Sequence, residues 1–277
     1  FTPKIKGHLL SGSTKEPTLL KEIQDKQETT EKQAEDFIRD LEQEISELKK
    51  RSSEVKQAVA LVEQNKEKIL EMKRVQQFAV DVTLDPDTAH PNLILSDDGK
   101  QVKHGDVKKK LPDNPERFSK CVNVLGQQSF SSGRFYFEVQ VKGKTKWDLG
   151  VARESIKRKE FKPLSPQKGY WTVILRNGNE YSAVVGSLIR LHLHPGPQKV
   201  GVFVDYEEGL VSFYDVDAAA LIYSFTGCCF KEKLYPYFGP GLNDGGKNSA
   251  PLIICPVNQA EGICTCFLLR FSCCFPQ

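Results

Sequence analysis

Phe135-Tyr136-Phe137-Glu138-Val139-Gln140-Val141-Lys142 is the stretch from which the fold class follows. Phe135, Phe137, Val139 and Val141 alternate with Tyr136, Glu138, Gln140 and Lys142. Successive side chains of a strand point to opposite faces, so a period of two predicts a half-buried strand with one face on a core. Comparable short runs recur at 147–153, 170–176, 200–206, 210–216, 221–225 and 252–255. Asn177-Gly178 and Glu207-Glu208-Gly209 read as hairpin loops between them, and Asn243-Asp244-Gly245-Gly246 as a broader turn. No helical pattern long enough for a βαβ unit intervenes, so the runs predict a mainly β fold, a sandwich or a barrel.

Before about Gln76 the composition changes, with almost no aromatics and an excess of Glu, Lys and Gln. Ser13-x-x-Glu16 is a capping-box pattern, Pro17 suits a first helical turn, and no Pro or Gly interrupts residues 18–78. Ala34, Ile38, Leu41, Ile45, Leu48, Val55, Val59, Val62 and Ile69 follow a four-three spacing, with Ser52 and Lys66 filling two seam positions. This heptad seam predicts a long coiled-coil helix over residues 14–75, self-associating through residues 34–69. The alternative is a single amphipathic helix packed on the β domain. The chain then divides into an irregular leader (1–13), the helix (14–75), the β domain (76–259) and a tail (260–277).

Of the 277 residues 39% are hydrophobic and 27% charged, and a formal net charge of +3 is too small by itself to argue for a nucleic-acid partner. No apolar run approaches the ~20 residues of a membrane span. The first residue is Phe1, with no charged-then-apolar leader after it, so the start is expected to be a fragment or a processed end. The eight cysteines are unevenly placed, four of them in the tail at Cys264, Cys266, Cys273 and Cys274. That is not a secreted disulfide framework and predicts a reducing, cytoplasmic setting. The tail itself is apolar, too short to span and poorly spaced for zinc. It is expected to be disordered or an alternative splice end, with palmitoylation as a further reading.

Leu84-Asp85-Pro86-Asp87-Thr88-Ala89-His90-Pro91 and Leu93-Ile94-Leu95-Ser96 resemble the opening PRY motif, and Arg117-Phe118, Val124-Leu125-Gly126 and Phe130-x-Ser132-Gly133 its next block. Phe135 to Val139, Trp147-Asp148-Leu149-Gly150-Val151-Ala152, Gly169-Tyr170-Trp171-Thr172, the run Val200-Gly201-Val202-Phe203-Val204-Asp205-Tyr206, Val211-Ser212-Phe213-Tyr214, Tyr235-Pro236-Tyr237-Phe238 and Ala250-Pro251-Leu252 resemble successive SPRY blocks over residues 81–258. The family more often has Trp where Phe137 stands. The resemblance implies a two-sheet antiparallel β-sandwich of the PRY–SPRY (B30.2) type. A coiled coil directly before it resembles the tripartite-motif (TRIM) family, and residues 33–45 look like the coiled coil of fish-type members. No Cys precedes Cys121, so the zinc-binding RING and B-box of that family have no ligand pairs here. Any ligase activity the resemblance implies would require a longer product.

Catalytic and metal constellations are not assembled in the sequence. Glu207-Glu208 falls on a hairpin tip where both carboxylates are solvated. His192-x-His194 could be half a metal site, but no further ligand lies close by and Pro195 follows. Lys108-Lys109-Lys110 and Lys157-Arg158-Lys159 could touch phosphates, yet they lack interleaved aromatics and read as solvated loops. The expectation is a non-enzymatic binding module without cofactor, with an RNA- or nucleotide-sensing role through the basic loops as the alternative. The resemblance places the protein-binding surface on loops around Trp147-Asp148-Leu149-Gly150, the strand end after Trp171-Thr172 and the turn at Asn243. It implicates Asp148, Ile174, Arg176, Leu242, Asn243 and Asp244. Antibody-binding members carry aromatics at the positions of Ile174, Arg176 and Leu242, so the resemblance does not imply antibody binding here, although Asp148 matches.

Overall fold

The computed structural model describes residues 15–161 and 163–257. The expectations for the leader (1–13) and the tail (260–277) therefore lie outside the described residues. The chain divides between Asn65 and Lys66 into two compact units.

A single helix, α1 (Lys15–Gln76), runs for 62 residues. Uninterrupted helix formers sustain it, and the hydroxyls of Thr29 and Thr30 donate back to the carbonyls of Asp25 and Lys26 at 2.7 and 2.8 Å. The seam residues Ile38, Leu41, Ile45, Leu48, Val55, Val59 and Val62 are all exposed in the single chain.

The second unit is a β-sandwich. Its seven-stranded sheet has the order β1 (Leu93–Leu95), β2 (Gln101–His104), β13 (Leu252–Cys255), β4 (Arg134–Gln140), β9 (Lys199–Asp205), β10 (Leu210–Asp215), β11 (Ala220–Phe225). The six-stranded sheet has the order β3 (Val124–Leu125), β12 (Leu234–Gly239), β5 (Trp147–Arg153), β6 (Tyr170–Arg176), β7 (Glu180–Val184), β8 (Leu188–Leu191). Every ladder between named strands is antiparallel. The two-sheet antiparallel β-sandwich preceded by a long helix is thus the observed architecture. Strand alternation sends Phe135, Phe137, Val202, Val204 and Phe213 from one sheet, and Trp147, Leu149, Val173, Leu175 and Phe238 from the other, into one core. Phe137 packs against Phe238 across it, ring centroids 5.8 Å apart.

The half-buried reading of β4 needs correction. Tyr136 and Glu138, assigned to the solvent face, are 0% and 2% exposed. The last turns of α1 cover them: Met72 and Val75 pack with Tyr136, Phe203 and Tyr214 in a small second core on the outer face of the seven-stranded sheet. Glu138 is tolerated there because it is fully engaged. It accepts from Gln76 Nε2 at 2.9 Å and from the Tyr136 hydroxyl at 3.0 Å, and pairs with Lys199 Nζ at 3.3 Å. Burial beside this carboxylate pushes the Tyr136 phenol well above its usual range. The second unit begins at Lys66, so these last turns of α1 belong to it.

One glycine is fixed by a close approach. Gly150 in β5 has φ 154°, and a Cβ there would lie 2.0 Å from the Trp171 carbonyl oxygen on β6.

Candidate functional site

The alternation that fills the core also decides what faces outward on the six-stranded sheet. Trp147 and Leu149 point inward, so Asp148 between them points outward; Val173 and Leu175 point inward, so Ile174 and Arg176 point outward. The register of β5 on β6 sets Asp148 opposite Ile174, and that of β12 on β5 sets Gly239 opposite Asp148. Tyr237 lies on the same outer face, two residues from Gly239. Asp148, Ile174, Arg176 and Tyr237 line a cleft of about 650 Å³. Its rim comes from three loops, which contribute Lys120, Phe161 and Leu242 among others, and from the start of β8, which contributes Leu188.

Four of the six sequence-predicted residues, Asp148, Ile174, Arg176 and Leu242, meet at this cleft. Ile174 is 6% exposed and forms its wall; Leu242 is 52% exposed and stands on its rim. Asn243 and Asp244 do not line the cleft but stand beside it. Asn243 Nδ2 donates to the Asp106 carboxylate at 3.2 and 3.3 Å, and Asp244 pairs with Lys146, so both tie down the loop that carries Leu242.

Beneath that loop sits Asn248, with no exposed surface. Its Oδ1 accepts from the amides of Thr145 and Lys146 at 2.9 and 3.2 Å. Its Nδ2 donates to the carbonyls of Lys146, Pro240 and Leu242 at 3.2, 2.9 and 2.9 Å. The buried Lys144 Nζ donates to the carbonyls of Asn248 and Ala250 at 3.2 and 2.8 Å, and desolvation pulls its pKa down to about 8. The loop is thus pinned by a buried hydrogen-bond network.

The electrostatics of the floor follow from burial. Desolvation pushes the Asp148 carboxyl above its ordinary value, and the Arg176 guanidinium, 2.6 Å away, pulls it back toward the charged form. Arg176 also donates to the carbonyls of Trp147 and Leu175 at 3.1 and 2.7 Å, so it ties the ends of β5 and β6 together as well as lining the cleft. Burial likewise raises the Cys121 thiol, with Asp148 adding to the effect, which leaves it a poor nucleophile. The Tyr237 hydroxyl is buried and has no hydrogen-bond partner among the described residues; desolvation first, then Asp148, holds it protonated.

Lys120, Cys121, Phe161, Leu188 and Tyr237 were not anticipated as site residues. Only Tyr237 carried a signal, its alternation with Phe238 in a strand that pairs β5; Leu188 opens the short, exposed edge strand β8, and Lys120, Cys121 and Phe161 lie in loops whose sequence gives no period to read.

The remaining motifs resolve differently. Glu207 braces a hairpin by accepting from the Gly133 amide at 2.8 and 3.0 Å. His192 and His194 are exposed. Among the described residues no group of three His, Cys, Asp or Glu side chains is placed to hold a metal. In the basic loops, Lys159 pairs with Asp113, while Arg158 donates to the carbonyls of Glu116 and Glu154, both at 3.2 Å. No helix among the described residues is long and apolar enough to cross a membrane.

Comparison with known proteins follows the same boundaries. Residues 82–130 match the family described as the SPRY-associated domain (PRY), and residues 134–253 match the SPRY domain. Pyrin of Homo sapiens is 51% identical over 187 residues, covering 68% of this chain and 24% of Pyrin. Zinc finger protein RFP of Homo sapiens is 44% identical over 208 residues, 75% of this chain and 40% of that protein. E3 ubiquitin-protein ligase TRIM21 of Bos taurus is 46% identical over 186 residues, 67% and 40% of the two chains. The chain therefore spans between 24% and 40% of the length of these relatives. The solved TRIM65 PSpry domain superposes with a TM-score of 0.57 at 24% identity, covering 66% of this chain and 95% of that one, a likeness of fold.

Proposed function

Because this chain belongs to the PRY–SPRY family, in its tripartite-motif branch, and that domain is a protein-interaction module, we propose that it selects a protein target through the cleft on the outer face of its six-stranded sheet. The observation that carries the reading is the cleft itself: a concave, mainly apolar site set on rigid strands, with Leu242 presented at its rim. A half-exposed aliphatic side chain beside a buried wall and a charged rim has the anatomy of a binding hot spot. The exposed seam of α1 supports a second element, self-association through residues 34–69. Two cleft-bearing domains on one dimer would gain avidity from effective concentration.

In this reading the module works in innate immunity or ubiquitin-linked regulation and chooses the target of a longer product. The four described cysteines, Cys121, Cys228, Cys229 and Cys255, are free, which suits a cytoplasmic setting. The test is co-precipitation with the full chain, repeated with Leu242→Asp and Leu188→Asp. Target capture is expected to be lost in both at unchanged melting temperature, and wild-type capture by both variants would move the site elsewhere. Light scattering on the full chain at micromolar concentration tests the dimer, and a monomer would refute the seam.

A further inference from the structure

The charges lining the cleft are unequal. Lys120, Lys146 and Arg176 are set against Asp148 alone. Asp148 is engaged by Arg176, and Lys146 is neutralised by Asp244 just outside the cleft. Lys120 is exposed and has no carboxylate partner among the described residues. Its loop is joined to the next basic segment, since the Ser119 amide donates to the Arg158 carbonyl at 3.2 Å and Lys157 is exposed beside it. Of the carboxylates in those loops, Glu116 and Glu154 line a different hollow together with Arg158, Asp113 pairs with Lys159, and Glu160, next to the rim residue Phe161, is engaged elsewhere. The rim is therefore cationic where the wall is aliphatic, with Ile174, Leu188 and Leu242 contributing apolar surface and the unpartnered Tyr237 hydroxyl below them.

Building on the reading of the cleft as a protein-binding site, we propose that its occupant is an acidic linear segment of the partner. One large apolar side chain seats between Ile174, Leu188 and Leu242, and a flanking Asp or Glu carboxylate meets Lys120. Charge complementarity at the rim favours such a segment over a neutral or basic one and speeds encounter. The walls are aliphatic, and Phe161 is the one exposed aromatic at the rim, so the stacking platform that single-stranded nucleic acid requires is not built here.

The test is selection of random linear peptides, displayed on phage, against the full chain. Selected peptides are expected to share a large apolar residue flanked by Asp or Glu. For a synthetic peptide of the selected sequence, affinity should fall about tenfold in Lys120→Glu and weaken as salt rises. It should fall at least about 30-fold in Leu242→Asp. Glu116→Ala, in the other hollow, should leave it unchanged. Peptides without acidic residues that still lose affinity in Leu242→Asp would overturn the acidic assignment and leave the cleft standing as the binding site. Peptides that bind Leu242→Asp as tightly as wild type would count against the cleft itself. Failure to select any peptide, or displacement of a selected peptide by a uridine oligonucleotide at lower concentration than by the peptide itself, would overturn the proposal.

Discussion

Replacing Asn248 by alanine removes a single fully buried side chain that joins two loops more than ninety residues apart in sequence. The side-chain oxygen accepts from the Thr145 and Lys146 amides, and the two Nδ2 hydrogens are shared among the carbonyls of Lys146, Pro240 and Leu242, which makes four hydrogen bonds' worth of donors and acceptors. A net ~1 kcal/mol for each of these four would give about 4 kcal/mol if the surroundings stayed rigid. The orphaned groups are backbone atoms of loops near the surface, where water can enter the space left behind and recover part of the loss. The expected cost is therefore about 3 kcal/mol, a large share of the ~5–15 kcal/mol that holds a typical domain together. Urea denaturation of the full chain measures it, read from a signal of the sandwich such as the fluorescence of Trp147 and Trp171. Hydrogen exchange adds a local readout: the Thr145 and Lys146 amides should lose protection well beyond those of β4 and β9. A loss below ~1 kcal/mol with unchanged protection of those two amides would refute the view that Asn248 holds the Leu242 loop.

Two further outcomes can be checked on stability alone. The pKa of Lys144 is pulled down to about 8 from 10.5, so between those values the unfolded chain binds more protons at this site and folding gains stability as pH rises. Relative to Lys144→Met, the wild type should gain about 1–3 kcal/mol between pH 7 and pH 10, less than the full shift implies because the ammonium is only partly shielded; parallel pH profiles would show that no such desolvation exists. Met72→Ala, at the end of α1, should cost the sandwich about 2–4 kcal/mol, as expected for a truncation in a packed core. A loss under ~0.5 kcal/mol, the value for an exposed helical position, would separate the helix end from the sandwich core.

Most of the framework could be read from residue patterns because the core strands obey period two and carry β-branched or aromatic side chains. The runs at 147–153, 170–176 and 252–255 coincide with β5, β6 and β13 to the residue, and those at 200–206 and 210–216 miss β9 and β10 by one. β2, with Gln101, Lys103 and His104 around a lone Val102, offers too little apolar contrast to be recognised. β12 carries Pro236 in its middle, which argues against a strand; it is accommodated where Pro236 needs no amide and its carbonyl accepts from Gly126 at 2.9 Å. The misreading of β4 has a definite cause: alternation reports which side chains differ in polarity, not what covers the polar side, and here Gln76 and Lys199 satisfy Glu138 from other elements. The cleft was legible only as far as strands build it. Asp148, Ile174 and Arg176 follow from alternation and register, whereas Phe161 and the placement of Leu242 depend on loop contacts such as Asn248 with Thr145, which leave no periodic trace.

The small second core has a consequence for anyone who recombines this module with others. The sandwich arrives with a plug, the turns of helix that carry Met72, Val75 and Gln76, and the plug is encoded on the helical side of the composition change. A chimaera joined at residue 76 would hand over a sheet whose outer face bears Tyr136, Phe203 and Tyr214 bare and Glu138 stripped of one partner. Such a face is an adhesive patch on an otherwise finished domain. Joined near residue 65 instead, the transplanted module keeps its plug, and any upstream helix in phase with α1 could be grafted to it.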